Sequence, residues 1–157
     1  MSMRGDVRGG GLRATEREVV AMHAVVYSKR DDVQCVIHTH SPAVTAFAVA
    51  RKPLPCVSEG LARWGFRQET PVVPYGPRGS KPAVDGIART LDDHAGIPAV
   101  LLANHGVLVF GGSSEEAVRR CIALEEAAEV ALLAAAIGGA VALLPAQAMA
   151  AADAREV

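Results

Sequence analysis

Val36-Ile37-His38-Thr39-His40 is the stretch whose reading decides the rest of the chain. It begins apolar, as a buried strand does, and ends on two histidines separated by one residue. Side chains of a strand alternate between its faces, so His38 and His40 share one side. A rise of ~3.3 Å per residue sets their Cβ atoms roughly 6–7 Å apart. That spacing suits two imidazoles converging on one metal ion at ~2.0–2.1 Å. Two incidental histidines at a strand end would give the same letters, and the pair alone leaves both readings open. A third histidine shifts the balance: Asn104-His105-Gly106 follows the apolar run Ala99-Val100-Leu101-Leu102-Ala103.

The bulk properties narrow the class. At 157 residues the chain fits one domain with a sizeable core. A formal net charge of −1 argues against a nucleic-acid-binding protein, which carries a basic excess. Cys35, Cys56 and Cys121 show neither CxxC nor zinc-finger spacing, which reads as a reduced, cytoplasmic protein. Cys35 has the opposite strand parity to His38 and should face away from it. The N-terminus lacks the apolar segment of a signal peptide. The apolar run Val130 to Leu144 is interrupted by Gly138-Gly139 and falls short of the ~20 residues that a bilayer span needs. No membrane association is expected.

Residues 1–12 are rich in glycine and arginine and read as a flexible lead-in, with one domain over 13–157. Thr15-Glu16-Arg17-Glu18 has the form of a capping box, so a helix is expected from Thr15. Val19, Met22, His23, Val26 and Tyr27 then recur at helical spacing. Pro42 starts a second helix that Pro53 and Pro55 have ended. A short helix is expected around Glu59 to Trp64 and a short strand over Pro71 to Tyr75. A helix from about Pro82 to His94 ends at Gly96. Strands follow at Pro98 to Ala103 and Val107 to Phe110. A second capping box, Ser113-Ser114-Glu115-Glu116, opens a long alanine-rich helix to about Ile137. Pro145 begins a short last one.

Taken in order, His-Thr-His after a strand, a downstream Asn-His-Gly and an upstream acidic helix start resemble the class II aldolase/adducin family. The resemblance runs from about Thr15 to Leu144 and includes Ala24-Val25-Val26-Tyr27, Arg30-Asp31-Asp32-Val33 and Pro71-Val72-Val73-Pro74-Tyr75. It implies an α/β fold, a three-layer α/β/α domain with a largely antiparallel central sheet. It implies a divalent metal, Zn2+ above others, on His38, His40 and His105, and active sites near the interfaces of a homo-oligomer, commonly a cyclic tetramer. Three neutral imidazoles independently fit an open catalytic zinc site, because they leave one coordination position free. Such a centre holds a hydroxyketone through its oxygens and stabilises the enediolate left by carbon–carbon cleavage.

A carboxylate must also move protons. In the family a glutamate four residues before the position of His23 does so, and Val19 stands there in this chain. Glu18, one residue away, is the expected acid/base, with Glu16 the alternative. Glu18 is also where a capping-box carboxylate sits with no catalytic duty. Glu59 is a lesser candidate. His23 and His94 are expected to be a packed helix residue and a solvent-facing helix-end residue. Asn104 is expected to orient its neighbouring histidine. Thr15 matches part of a phosphate-contacting segment and is the expected substrate-binding residue. The glycine-asparagine and serine-glycine loops with which family members grip a substrate phosphate do not occur in Met1 to Leu12.

The function implied is a metal-dependent aldolase, a lyase cleaving a small hydroxycarbonyl compound, for example a sugar phosphate such as fuculose 1-phosphate. Epimerisation and decarboxylation share the same enediolate logic. A second class of reading is a non-catalytic, adducin-like or truncated metal-binding oligomerisation domain.

Overall fold

The computed structural model describes residues 13–151, without the side chains of residues 14–16 and 150. The lead-in expected over residues 1–12 and the last six residues of the expected 13–157 domain lie outside the described residues.

Among the described residues four strands form one sheet: β1 (Cys35–Thr39), β2 (Val72–Val73), β3 (Ala99–Leu102) and β4 (Gly106–Gly111), in the spatial order β1-β4-β3-β2. β1 and β3 both pair antiparallel with β4, and β2 joins β3 in parallel. The sheet is therefore largely antiparallel, as expected. The strand anticipated over Pro71 to Tyr75 contracts to two residues because prolines flank it and donate no backbone hydrogen bond.

Strand parity sorts the core into two apolar layers. Val36, Val100, Leu102, Leu108 and Phe110 pack with Met22 and Val26 of α1 (Ala14–Lys29) and Ile87 and Leu91 of α4 (Lys81–Asp93). Ala99, Leu101, Val107 and Val109 face the other way. They pack with α2 (Pro42–Ala50), α3 (Glu59–Arg63) and α5 (Ser114–Ala136). A final short helix, α6 (Ala146–Ala151), rests near α3. The result is the expected three-layer α/β/α arrangement.

Local chemistry sets most element ends. Ser113 Oγ accepts from Glu116 N–H at 3.1 Å at the start of α5. Glu116 Oε2 accepts from Gly112 N–H, one residue before the position that closes an ordinary capping box. Ser58 caps α3 and Ser80 caps α4 in the same way. The first helix departs from expectation. It begins at Ala14, so Thr15 lies inside the first turn rather than at its cap.

The start of α2 has a longer-range solution. Ser41 makes no side-chain cap. Instead the Glu125 carboxylate, reaching across from α5, accepts from Ala43 N–H at 2.8 Å and Val44 N–H at 3.0 Å. A negative charge at a helix N-terminus is favoured by both the free N–H groups and the helix dipole. Replacing Glu125 with alanine should lower unfolding free energy by about 1–2 kcal/mol, the usual worth of an N-cap. Urea unfolding followed by circular dichroism reads this directly, and an unchanged midpoint would show that water replaces the carboxylate without loss.

Candidate metal centre

His38 lies in β1 on the face turned toward α1 and α4, and His40 sits one residue past the strand end. Their rings meet edge to face with centroids 4.8 Å apart. β4 brings in the third ring. After β3, the turn at Asn104 takes a left-handed conformation (φ 58°), and His105 N–H donates to Leu102 O at 2.9 Å. The chain reverses and presents the His105 ring 4.7 Å from that of His38 and 5.0 Å from that of His40. One ligand nitrogen from each histidine lies within 4.8 Å of the other two.

Gly106 permits this approach. A Cβ at that position would stand 2.5 Å from Thr39 O and 2.6 Å from His40 Cδ2. The first residue of β4 thus lies directly against the end of β1 and one of the rings, and only a residue without a side chain fits.

Hydrogen bonding fixes the tautomer of His38. Its Nδ1–H donates to Val107 O at 3.0 Å, because a carbonyl only accepts. Nε2 of His38 is then left with a lone pair. It faces Nε2 of His40 at 3.1 Å. Two nitrogens on a tetrahedral zinc at ~2.1 Å stand ~3.4 Å apart, close to that separation. His105 Nε2 is buried with no hydrogen-bond partner among the described residues. A buried, unpartnered nitrogen beside two others is the donor set a cation would satisfy, so the three residues fit a divalent metal.

Electrostatics favour the neutral form of His38 and His105. Burial lowers the pKa of His105 to about 4, helped by the neighbouring His38, His40 and Arg78. His38 is lowered too, first by burial, against the hydrogen bond to Val107, and further by His40 and Arg78. Neutral imidazole is the form that binds metal. His23, on α1, is lowered by burial and by His38, and its Nε2 is buried without a partner among the described residues. It is a packed helix residue, as expected, but one that borders the cluster.

Other expected residues take varied places. The carboxylate of Glu18 accepts from Arg78 Nε at 3.0 Å, and Arg78 is in electrostatic range of His38 and His105. The side chains of Thr15 and Glu16 are outside the described residues. Glu59 opens α3, which packs on α5 and α6 across the sheet from His38, so the fold of the chain does not bring it to the histidines. His94 closes α4 as its C-cap. Asn104 corrects its expectation: its side-chain oxygen accepts from Arg51 Nε and Nη2 at 3.1 and 3.0 Å. It therefore steadies the turn against the end of α2 and does not hold the imidazole. Cys35 faces away from His38, beside Cys121 of α5, whose thiol burial and Cys35 push up to about 11. Arg78 escaped the sequence reading because a loop arginine carries no spacing signal.

Comparison with known proteins places this geometry in context. A family model described as the Class II Aldolase and Adducin N-terminal domain matches residues 1–132. An L-fuculose phosphate aldolase of Methanococcus maripaludis is 27% identical over 125 residues, covering 80% of this chain and 66% of that protein. A 3,4-dihydroxyphthalate decarboxylase of Terrabacter is 34% identical over 131 residues, covering 83% of this chain and 55% of that protein. A solved L-fuculose 1-phosphate aldolase superposes with a TM-score of 0.80 at 31% identity, over 93% of this chain and 65% of that one. The chain thus spans less than two-thirds of the length of each of these relatives.

Two outcomes follow from the site. Gly106→Ala should weaken zinc binding by at least about tenfold in Kd, because the added methyl displaces either Thr39 or the His40 ring. A zinc titration of the folded variant reads this, and wild-type affinity would contradict the clash. The second outcome concerns acid. His105 has a folded-state pKa of about 4 against 6.5 when unfolded, so the unfolded chain binds more protons between those values. Its contribution is intact above pH 6.5 and is lost as pH falls toward 4. The metal-free melting temperature should drop across that window, and His105→Ala should flatten part of the drop. An identical pH profile for the variant would contradict the assignment.

Proposed function

Because this chain belongs to the class II aldolase and adducin family, we propose that it is a metal-dependent lyase that breaks a carbon–carbon bond in a small hydroxycarbonyl compound. The observation that carries the reading is the convergence of His38, His40 and His105, with their ligand nitrogens within 4.8 Å of one another. Zn2+ is the proposed ion, since a set of three neutral imidazoles suits it and leaves a position open.

In this reading His38 is pre-aligned by Val107, and Gly106 keeps the space between the strand ends closed to side chains. A cation held there supplies Lewis-acid polarisation of the substrate oxygens and stabilises the negative charge released at cleavage. Glu18 moves the protons. Its carboxylate takes the hydroxyl proton as that carbon becomes a carbonyl, and returns a proton to the carbon that keeps the bonding electrons. Arg78 binds Oε2 of Glu18, while Oε1 has no protein hydrogen bond among the described residues, which leaves it available for exchange. Thr15, in the first turn of the same helix, is proposed to contact the substrate.

The proposed substrate is a sugar phosphate or related hydroxyketone, as the names of the fuculose-phosphate aldolase relatives support. Decarboxylation on the same scaffold is the second reading, favoured by the 34% identity to a dihydroxyphthalate decarboxylase. It shares the outcome at the retained carbon, which keeps the bonding electrons and then takes a proton, with carbon dioxide leaving from a carboxylate in place of an aldehyde. We assign a homo-oligomer, a tetramer by family likeness, because α5 exposes Val118, Ile122, Val130 and Leu133 along its length. A cytoplasmic location is proposed from the three free thiols. Among the described residues, no helix is long and apolar enough to cross a membrane.

His38→Ala, His40→Ala and His105→Ala should each lower bound zinc at least tenfold in affinity, or about 1.4 kcal/mol, and abolish turnover. Glu18→Gln should retain zinc while slowing kcat by about 10²–10⁴, the usual share of a general acid/base. Elemental analysis with a panel of hydroxyketone phosphates, free hydroxyketones and catechol carboxylates separates the readings. Full zinc content in the triple-alanine variant would end the proposal.

A further inference from the structure

Arg78 lies in the loop between β2 and α4, and that loop is held on both sides. A Cβ on Gly76 would stand 2.6 Å from Ala83 N, inside the first turn of α4. Gly79 has φ +70°, and a Cβ there would collide with Glu18 of α1. Ser80 N–H donates to Pro77 O at 2.9 Å, closing the turn around Arg78. The main chain on either side of this arginine is thus packed against two helices. Its side chain is placed by fixed neighbours even though it is 48% exposed.

The same side chain borders the metal centre. Arg78 and His105 line one narrow cleft with Met22, Pro74 and Leu102. Its charge acts on both His38 and His105. Its sole hydrogen bond among the described residues is Nε to Glu18. Both terminal nitrogens of the guanidinium are therefore unbonded to protein among those residues.

The charge balance is uneven. A divalent cation on three neutral imidazoles, plus a guanidinium beside it, carries three positive charges against the single negative charge of Glu18. Like charges close together raise each other's energy unless an anion intervenes. A planar guanidinium also presents paired donors that match a carboxylate or phosphoryl oxyanion.

We infer that Arg78 is the anion-recognition residue of this site, whose free guanidinium edge binds an oxyanion carried by the substrate while Nε keeps hold of Glu18. The inference rests on the metal-centred reading above and adds that the substrate bears a carboxylate or phosphate within reach of the loop. The alternative is an exposed ion pair of little consequence for stability and indifferent to ligand charge.

The test uses the zinc-loaded full-length chain and three chelating probes that share one hydroxamate head. Acetohydroxamate has a neutral tail, malonohydroxamate a carboxylate, and phosphoglycolohydroxamate a phosphate. Zinc content is measured first, and failure to load zinc overturns the metal-centred reading itself. With zinc in place, calorimetry should show at least one anionic probe binding about ten- to a hundredfold more tightly than acetohydroxamate, the worth of a charge-assisted pair. Whichever tail gains identifies the oxyanion. Arg78→Gln should erase that preference while leaving zinc content and acetohydroxamate affinity unchanged, and Arg78→Lys should restore part of it. Should Arg78→Gln fail to fold, Arg78→Lys still reports, because it keeps the charge and loses the fork. A wild-type chain blind to the tail, or a preference that survives both substitutions, would overturn the inference.

Discussion

The contact between the end of β1 and the start of β4 is the constraint on which the site depends. Gly106 lies so close to Thr39 and to the ring of His40 that no side chain fits. That closeness places a turn histidine beside two strand-end histidines, although His105 is far from them along the chain. It also puts the Val107 carbonyl where it receives the His38 Nδ1–H. One backbone approach therefore determines both the meeting of the three rings and the tautomer of one of them.

Everything else supports that approach. Antiparallel pairing sets Thr39 opposite Val107 and His38 opposite Leu108, so a one-residue slip would send His38 to the opposite face. Arg51 and Asn104, both left-handed, bond to each other and tie the β3–β4 turn to α2. Glu125 fastens the start of α2 to α5. Val36 N–H donates to Tyr27 Oη at 3.0 Å, which pins the edge strand to α1. The histidines sit at the junction of elements that are each held independently, as a site needs if its geometry is to be set before a ligand arrives.

Legibility in the sequence followed the range of the interaction. Parity alone set His38 and His40 on one face and Cys35 on the other, because alternation is local. The serine cap at Ser113 was equally readable, whereas the prolines on either side of Val72-Val73 cut the expected strand short. The family resemblance supplied what local rules do not, namely that His105 returns to the same place. Longer-range choices stayed hidden. Nothing near Ser41 announces that Glu125 caps its helix, and nothing near Asn104 announces Arg51. Arg78 is the sharpest case: its position beside the cluster depends on two glycines packing against two different helices. Glu18 meets Arg78 of the β2–α4 loop, a contact that no letters within α1 announce.

The central claim is that three imidazoles share one cation and leave it an open position. X-ray absorption at the zinc edge of the metal-loaded chain tests it most directly. The account predicts three histidine nitrogens at ~2.0–2.1 Å with the outer-shell scattering of imidazole rings, plus one oxygen ligand. A sulfur shell at ~2.3 Å, or fewer than three imidazoles around the ion, would contradict it.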